Sequence, residues 1–286
     1  MSYRKILVPL NGGARDAHVL KAAFDVAKAF GGHVAGVYVK PDPAEVLPYL
    51  GEGVSAGVIQ EIMDAAGEVA KRSADSARAA LERAAKTAGA SVQMPAQAGI
   101  GGSFHLRQGL TENVIAEEAR LSDLVVFDSP AESQDAAMRA TLEAALLNGR
   151  KPLLVVPRGA GSVVGKKVAV GWNGGAAAAY AVSAAIPLMK RAEAIEILSV
   201  AQGPIDTASM DQLRDYLRLN GLNPVEHGIN PGSQGTAVAL VEGAQGSGAG
   251  VLVIGGYGHS RLRELVLGGV TRHVLGHVTM PVFMAH

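Results

Sequence analysis

No cysteine occurs anywhere in the chain. That absence excludes disulfides, thiolate zinc centres and thiol nucleophiles, and it suits a reducing cytoplasm. Neither sign of charge is in excess, since 26 Lys and Arg balance 26 Asp and Glu. A balanced chain lacks the basic field that holds nucleic acid or an anionic membrane, so neither partner is expected. No apolar run approaches the roughly 18 residues that a membrane-spanning helix needs. The opening stretch "MSYRKILVPLNGG" has neither the apolar region nor the cleavage site of a signal peptide. The expectation is a soluble, cytoplasmic protein. With 286 residues, it has enough chain for two ordinary domains.

What is present is one pattern written twice. "KILVPLNGGARDAHVLKAAFDVAKAFGGHVAGVYV" (5–39) aligns with "KVAVGWNGGAAAAYAVSAAIPLMKRAEAIEILSV" (167–200). Each copy is a short apolar run, then Asn-Gly-Gly, an alanine-rich helical stretch and a second apolar run. Farther on, "DLVVFDSP" and "KPLLVVP" correspond to "GVLVIGGY" and "MPVFMAH". The reading divides the chain into domains at 1–157 and 166–286, with a Gly- and Val-rich linker at 158–165.

Strand-like runs are read at 6–10, 34–39, 104–107, 124–127 and 153–156, and again at 167–171, 194–200, 223–228, 250–254 and 281–285, continuous and apolar where the sheet is to be covered on both faces. Helices are expected at 14–30, 56–88, 111–120 and 134–148, then near 175–190, 207–219, 235–246 and 263–277. Residues 40–57, rich in proline and glycine, read as an excursion after the second strand. Alternation of strand and helix implies an α/β fold: in each half a parallel sheet with helices on both faces. Ligands of such sheets bind beyond the carboxyl ends of the strands, where the strand order reverses. That puts the Asn-Gly-Gly loop and the loop after the fourth strand beside one crevice in each half.

The densest glycine cluster is "GGYGHSRLRELVLGGVTRHV" (255–274). Glycine inside a helix destabilises it by about 1 kcal/mol relative to alanine, so the cluster needs a reason. Tight turns with close packing would account for it. So would an anion held by free backbone N–H groups at a helix start, with the hydroxyl of Thr271 beside it.

Gly255-x2-Gly258-x9-Gly268 resembles the nucleotide-binding signature of the universal stress protein family, Gly-x2-Gly-x9-Gly-Ser/Thr. The resemblance extends over both halves, including "KILVPLNGG" and "MPVFMAH". It implies two tandem flavodoxin-like (adenine nucleotide alpha hydrolase-like) domains, each with a five-stranded parallel sheet. It also implies a stress-response regulator that binds ATP or AMP, with Mg2+ on the phosphates, and changes its contacts with protein partners. Carried over by residue, Gly255, Tyr257 and Gly258 would line the ribose and phosphates. Gly268, Gly269, Val270 and Thr271 would present backbone and hydroxyl groups to the phosphates. Gly171, Trp172 and Asn173 would face adenine and ribose, and Val200 would close the base pocket. Gly269 stands where the family pattern has Ser or Thr, and Asn173 replaces the usual aspartate. Trp172 can stack on a base or fill the pocket and exclude it.

The first half lacks this loop. "FDSPAESQDAAMRATLEAALLNG" (127–149) has no Gly-x2-Gly, and Asp128 stands where Gly255 stands. A carboxylate there would repel phosphate. The expectation is a structural domain; the resemblance implies that 153–156 and 282–285 pair antiparallel to make a pseudo-dimer within one chain, itself able to form a homodimer. "NGGARDA" reads as a strand-to-helix turn, because the serines of a pyrophosphatase loop are absent. His273 and His277 share a helix face but have no evident third ligand. Arg261, Arg263 and Arg272 flank the loop, and His259 and Ser260 lie inside it. No general base emerges, so no catalytic residue and no metal ligand is assigned. Two rival readings remain: an interaction module without nucleotide, and a slow ATPase assisted by His259 or Thr271.

Overall fold

The computed structural model describes residues 2–41, 56–94, 96–130, 136–200, 207–229, 233, 235–256, 269–277 and 279–286. Strands β1 Lys5–Leu10, β2 His33–Lys40, β3 Gly101–Gln108, β4 Leu124–Asp128 and β5 Leu153–Val156 belong to the first half. β6 Val168–Trp172, β7 Ile195–Val200, β8 Val225–Ile229, β9 Val251–Gly255 and β10 Val282–Ala285 belong to the second. The helices are α1 Arg15–Phe30, α2 Ala56–Ala88, α3 Thr111–Arg120, α4 Ala136–Leu147, α5 Ala176–Met189, α6 Thr207–Leu219, α7 Thr236–Gly246 and α8 Gly269–His277. The excursion expected at 40–57 falls largely on 42–55, outside the described residues, as does the start of the helix expected from 263.

All ten strands join one sheet in the order β3-β2-β1-β4-β5-β10-β9-β6-β7-β8. Each half has the same internal order, parallel throughout. The halves meet where β10 runs antiparallel to β5, Phe283 opposite Leu154. That pairing covers two edges that would otherwise present unpaired N–H and C=O groups. Two apolar layers fill the faces. One joins the sheet to α1, α2, α5 and α6 through residues such as Leu20, Leu81, Val182 and Leu217. The other joins it to α3, α4, α7 and α8 through Ile115, Leu146, Leu240 and Val274. Coverage on both faces is why the inner strands read as apolar runs, whereas the edge strand β8 is largely exposed and polar. Among the described residues, no helix is long and apolar enough to cross a membrane.

Tyr3 ties the halves together outside the sheet. Its hydroxyl donates to the Ala184 carbonyl on α5 at 2.8 Å, and its ring lies 6.2 Å from that of Phe283. Residues 158–165 form neither helix nor strand, yet Val163 within them is buried in the layer beneath α5 and α6.

β3 starts three residues before the expected Phe104. Gly101, Gly102 and Ser103 have no apolar side chain to signal a strand, but the site demands small residues. A Cβ on Gly102 would meet Val92 Cγ2 at 3.3 Å and Phe24 Cζ at 3.4 Å. Ser103 bridges two imidazoles, with its Oγ 2.9 Å from His33 Nε2 and 2.8 Å from His105 Nε2. His33 Nδ1 is buried without a hydrogen-bond partner among the described residues. Burial, reinforced by the neighbouring positive charges, holds both histidines below the usual imidazole range. The folded state therefore binds fewer protons here than the unfolded chain. Stability from this trio is complete above the ordinary imidazole value of 6.5 and is lost as pH falls through it. Urea midpoints should hold steady above about pH 7 and fall toward about pH 5.5. A His105→Gln variant should flatten that fall, and an unchanged slope would contradict the assignment.

Candidate functional site

Both Asn-Gly-Gly loops close in the same way. Asn11 Oδ1 accepts the Gly13 N–H at 2.8 Å, and Asn173 Oδ1 accepts the Gly175 N–H at 3.0 Å. The middle glycines carry the turn at φ +79° (Gly12) and +71° (Gly174), which side-chain-bearing residues rarely adopt. These loops lead from β1 into α1 and from β6 into α5. In each half the neighbouring strand that ends beside the loop is the fourth: β4 beside β1, β9 beside β6. The reversal of strand order, and so the crevice, lies there.

In the second half this crevice is framed by Gly171 and Trp172 at the end of β6, by exposed Asn173, and by Gly255 at the end of β9. Trp172 is half-buried against the layer of α5 and α6, and its Nε1–H donates to Ser209 Oγ at 3.0 Å. Its polar edge is thus satisfied by α6. Gly171 looks the other way: a Cβ would meet Ile254 Cγ2 at 3.0 Å and Leu240 Cδ1 at 3.1 Å. Gly255 is required by packing, because a Cβ would come within 2.4 Å of the Ala178 backbone nitrogen in the first turn of α5. Gly256 is held at the seam by its N–H, which donates to the Ala285 carbonyl at 2.8 Å.

Gly269 differs, for no described residue lies within 4 Å of where its Cβ would be. Val270 beside it is 40 % exposed, whereas Thr271 is 4 % exposed on the inner face of α8 with Val274 and Leu275. Val200 ends β7 opposite Ile229. Tyr257, Gly258 and Gly268 lie outside the described residues, as do His259, Ser260, Arg261 and Arg263. His273 and His277 stack with ring centroids 4.0 Å apart. No group of three or more metal-binding side chains occurs among the described residues.

The first-half crevice is built from different chemistry. At the carboxyl ends of β1 and β4 lies a cavity of about 190 Å³, bounded by the N-terminal turns of α1, α3 and α4. Asp16, 4 % exposed, accepts the Asn11 N–H at 3.1 Å and the Gly12 N–H at 2.8 Å. Burial raises its carboxyl above the usual range, opposed by those two N–H groups. Asp128, 6 % exposed, ends β4 with Oδ1 2.8 Å from His18 Nε2. Arg15 Nε stands 3.8 Å from Asp128 Oδ2. Sequence reasoning noticed Asp16 and Asp128 but missed their companions His18, Arg15, Thr111 and Thr141. A signal existed in the repeat itself, for "RDAH" (15–18) aligns with "AAAY" (177–180). Arg15, Asp16 and His18 stand in one copy where the other has Ala177, Ala178 and Tyr180.

The chain matches no model of a known protein family and no curated protein. Solved structures do match. A universal stress protein from Archaeoglobus fulgidus DSM 4304 superposes with a TM-score of 0.69 at 16 % identity, over 99 % of this chain and 96 % of that one. A functionally unknown protein from Pseudomonas aeruginosa PAO1 gives a TM-score of 0.57 at 16 % identity, over 99 % and 92 %. The likeness runs the length of the chain and gives it the fold of a universal stress protein with two α/β units.

Proposed function

We propose that this chain is a tandem universal stress protein, divided at 158–165, whose C-terminal half binds an adenine nucleotide and thereby alters its contacts with protein partners. The observation that carries the reading is the asymmetry of the two crevices. Where β4 ends in a buried, ion-paired carboxylate, β9 ends in glycine, so no carboxylate stands at that strand end to repel phosphate.

The residues present fit such a ligand. No described residue crowds Gly269, beside the first N–H groups of α8, which favour an anion. With Asn173 Oδ1 committed to its own loop, its Nδ2 group is the part that would meet adenine or ribose. In this reading Gly171, Trp172 and Val200 would border the base, and Gly255, Tyr257, Gly258 and Gly268 the ribose and phosphates. Val270 and Thr271 would offer backbone N–H groups, the Thr271 side chain being buried on the inner face of α8. Mg2+, when bound, would neutralise phosphate charge. ATP and AMP share the adenosine that these residues would recognise.

The test is calorimetric titration of ATP, with and without Mg2+, into protein stripped of ligand by unfolding and refolding. About one equivalent should bind and raise the melting temperature, and Gly258→Val should abolish both effects. Absence of heat with an unchanged melting temperature would overturn the reading.

A further inference from the structure

We infer that the first-half crevice is a binding site for a small organic ammonium compound, a primary amine on an apolar body, rather than a vestige of a phosphate site. The cavity of about 190 Å³ holds a buried acceptor: Asp128 Oδ2 has no hydrogen-bond partner among the described residues. Its sister Oδ1 is occupied by His18, and Arg15 Nε approaches Oδ2 only to 3.8 Å, beyond hydrogen-bond distance. A buried carboxylate oxygen without a hydrogen bond is costly, and a ligand N–H supplies what is missing.

The sign of the ligand follows from the surroundings. Both oxygens of Asp16 are taken by backbone N–H groups, so this second buried carboxylate contributes negative charge without accepting from a ligand. Among the described residues, Arg15 is the one guanidinium in the lining, set against the two buried carboxylates Asp16 and Asp128. A phosphate or carboxylate would face that excess of negative groups, whereas an ammonium donates to Asp128 and is attracted by both carboxylates. A shared metal ion does not fit the same set, since no triad of ligating side chains forms among the described residues. Pro9, Val19, Phe127 and Met138 supply apolar wall for the body of the ligand.

The apparatus is particular to this half. The second copy has Ala177, Ala178, Tyr180 and Gly255 at the positions of Arg15, Asp16, His18 and Asp128. Packing of the shared scaffold therefore does not require these charges. Their joint presence around one cavity is what a ligand site explains.

Three isosteric probes separate the chemistry: benzylamine, benzyl alcohol and benzoate, each titrated by calorimetry into the full chain at neutral pH. Benzylamine should bind at one site, benzyl alcohol roughly tenfold or more weakly, and benzoate not at all. Asp128→Asn should weaken benzylamine by a similar factor. Met138→Trp, which fills the cavity and leaves the Asp128–His18 contact in place, should abolish binding and keeps the test decisive if the first variant does not fold. Equal binding of benzoate, unchanged binding in Met138→Trp, or no binding of benzylamine overturns the inference. So does displacement of benzylamine by ATP, which would put the amine in the other crevice. A failure of ATP to bind in its own titration leaves this inference standing, because the two sites share no residue.

Discussion

Phe283→Ala should lower the stability of the whole chain by about 3–5 kcal/mol, the cost of deleting a large ring from a packed interior. Phe283 is 1 % exposed, stands opposite Leu154 across the antiparallel seam and lies against the ring of Tyr3. Its surroundings have little freedom to collapse, because hydrogen bonds fix β5, β10 and β9 on both sides of it. Cost rises with the cavity that remains, so this site belongs at the upper end of the range. The side chain sits in a layer that runs from α1 and α2 to α5 and α6. Urea unfolding followed by far-UV circular dichroism reports the entire chain, while the lone tryptophan, Trp172, reports the second half. Both signals should shift to lower urea together. A shift confined to the Trp172 signal would mean that the halves unfold independently and that the seam contributes little.

The second large effect is expected at a glycine. Gly12→Ala combines two penalties in one substitution. The backbone there has φ +79°, which costs a residue with a Cβ about 1–2 kcal/mol. The added carbon would also lie 2.3 Å from the Ser73 carbonyl oxygen and 2.8 Å from its Cα, both backbone atoms of α2. No rotamer change relieves a contact between backbone atoms, and overpacking of this kind costs about 1–3 kcal/mol more. The total is roughly 2–5 kcal/mol, read as a lower urea midpoint. Gly67→Ala is the control, because no described residue lies within 4 Å of the added carbon on α2. There the substitution should stabilise by about 0.5–1 kcal/mol, the ordinary helix preference for alanine. If both glycines respond alike, the contact between the first Asn-Gly-Gly loop and α2 is not what selects Gly12.

These two positions illustrate different kinds of legibility. The alternation of strands and helices, the repeat and the two-sided burial were open to reading from the sequence, because each is a local or periodic property. A strand covered on both faces must be apolar along its length, and a helix covered on one face must repeat at three and four residues. The Asn-Gly-Gly loops announced themselves for the same reason: a left-handed backbone turn selects glycine wherever it occurs. Even the seam between 153–156 and 282–285 was anticipated from family resemblance, and β5 and β10 pair there.

Tertiary structure alone decided which side chains meet. His18 reaches Asp128 across 110 positions of sequence, His33 reaches Ser103 across 70, and Tyr3 reaches Ala184 across 181. No local period encodes such pairs, since they depend on strand order and on which face of the sheet each residue occupies. The glycines show the division most sharply. In sequence, Gly255 and Gly269 are equivalent members of one cluster. In the fold, Gly255 is forced by the backbone of α5, while no described residue crowds Gly269. Steric reason attaches to a glycine only through its neighbours, and those neighbours come from chain that lies far away.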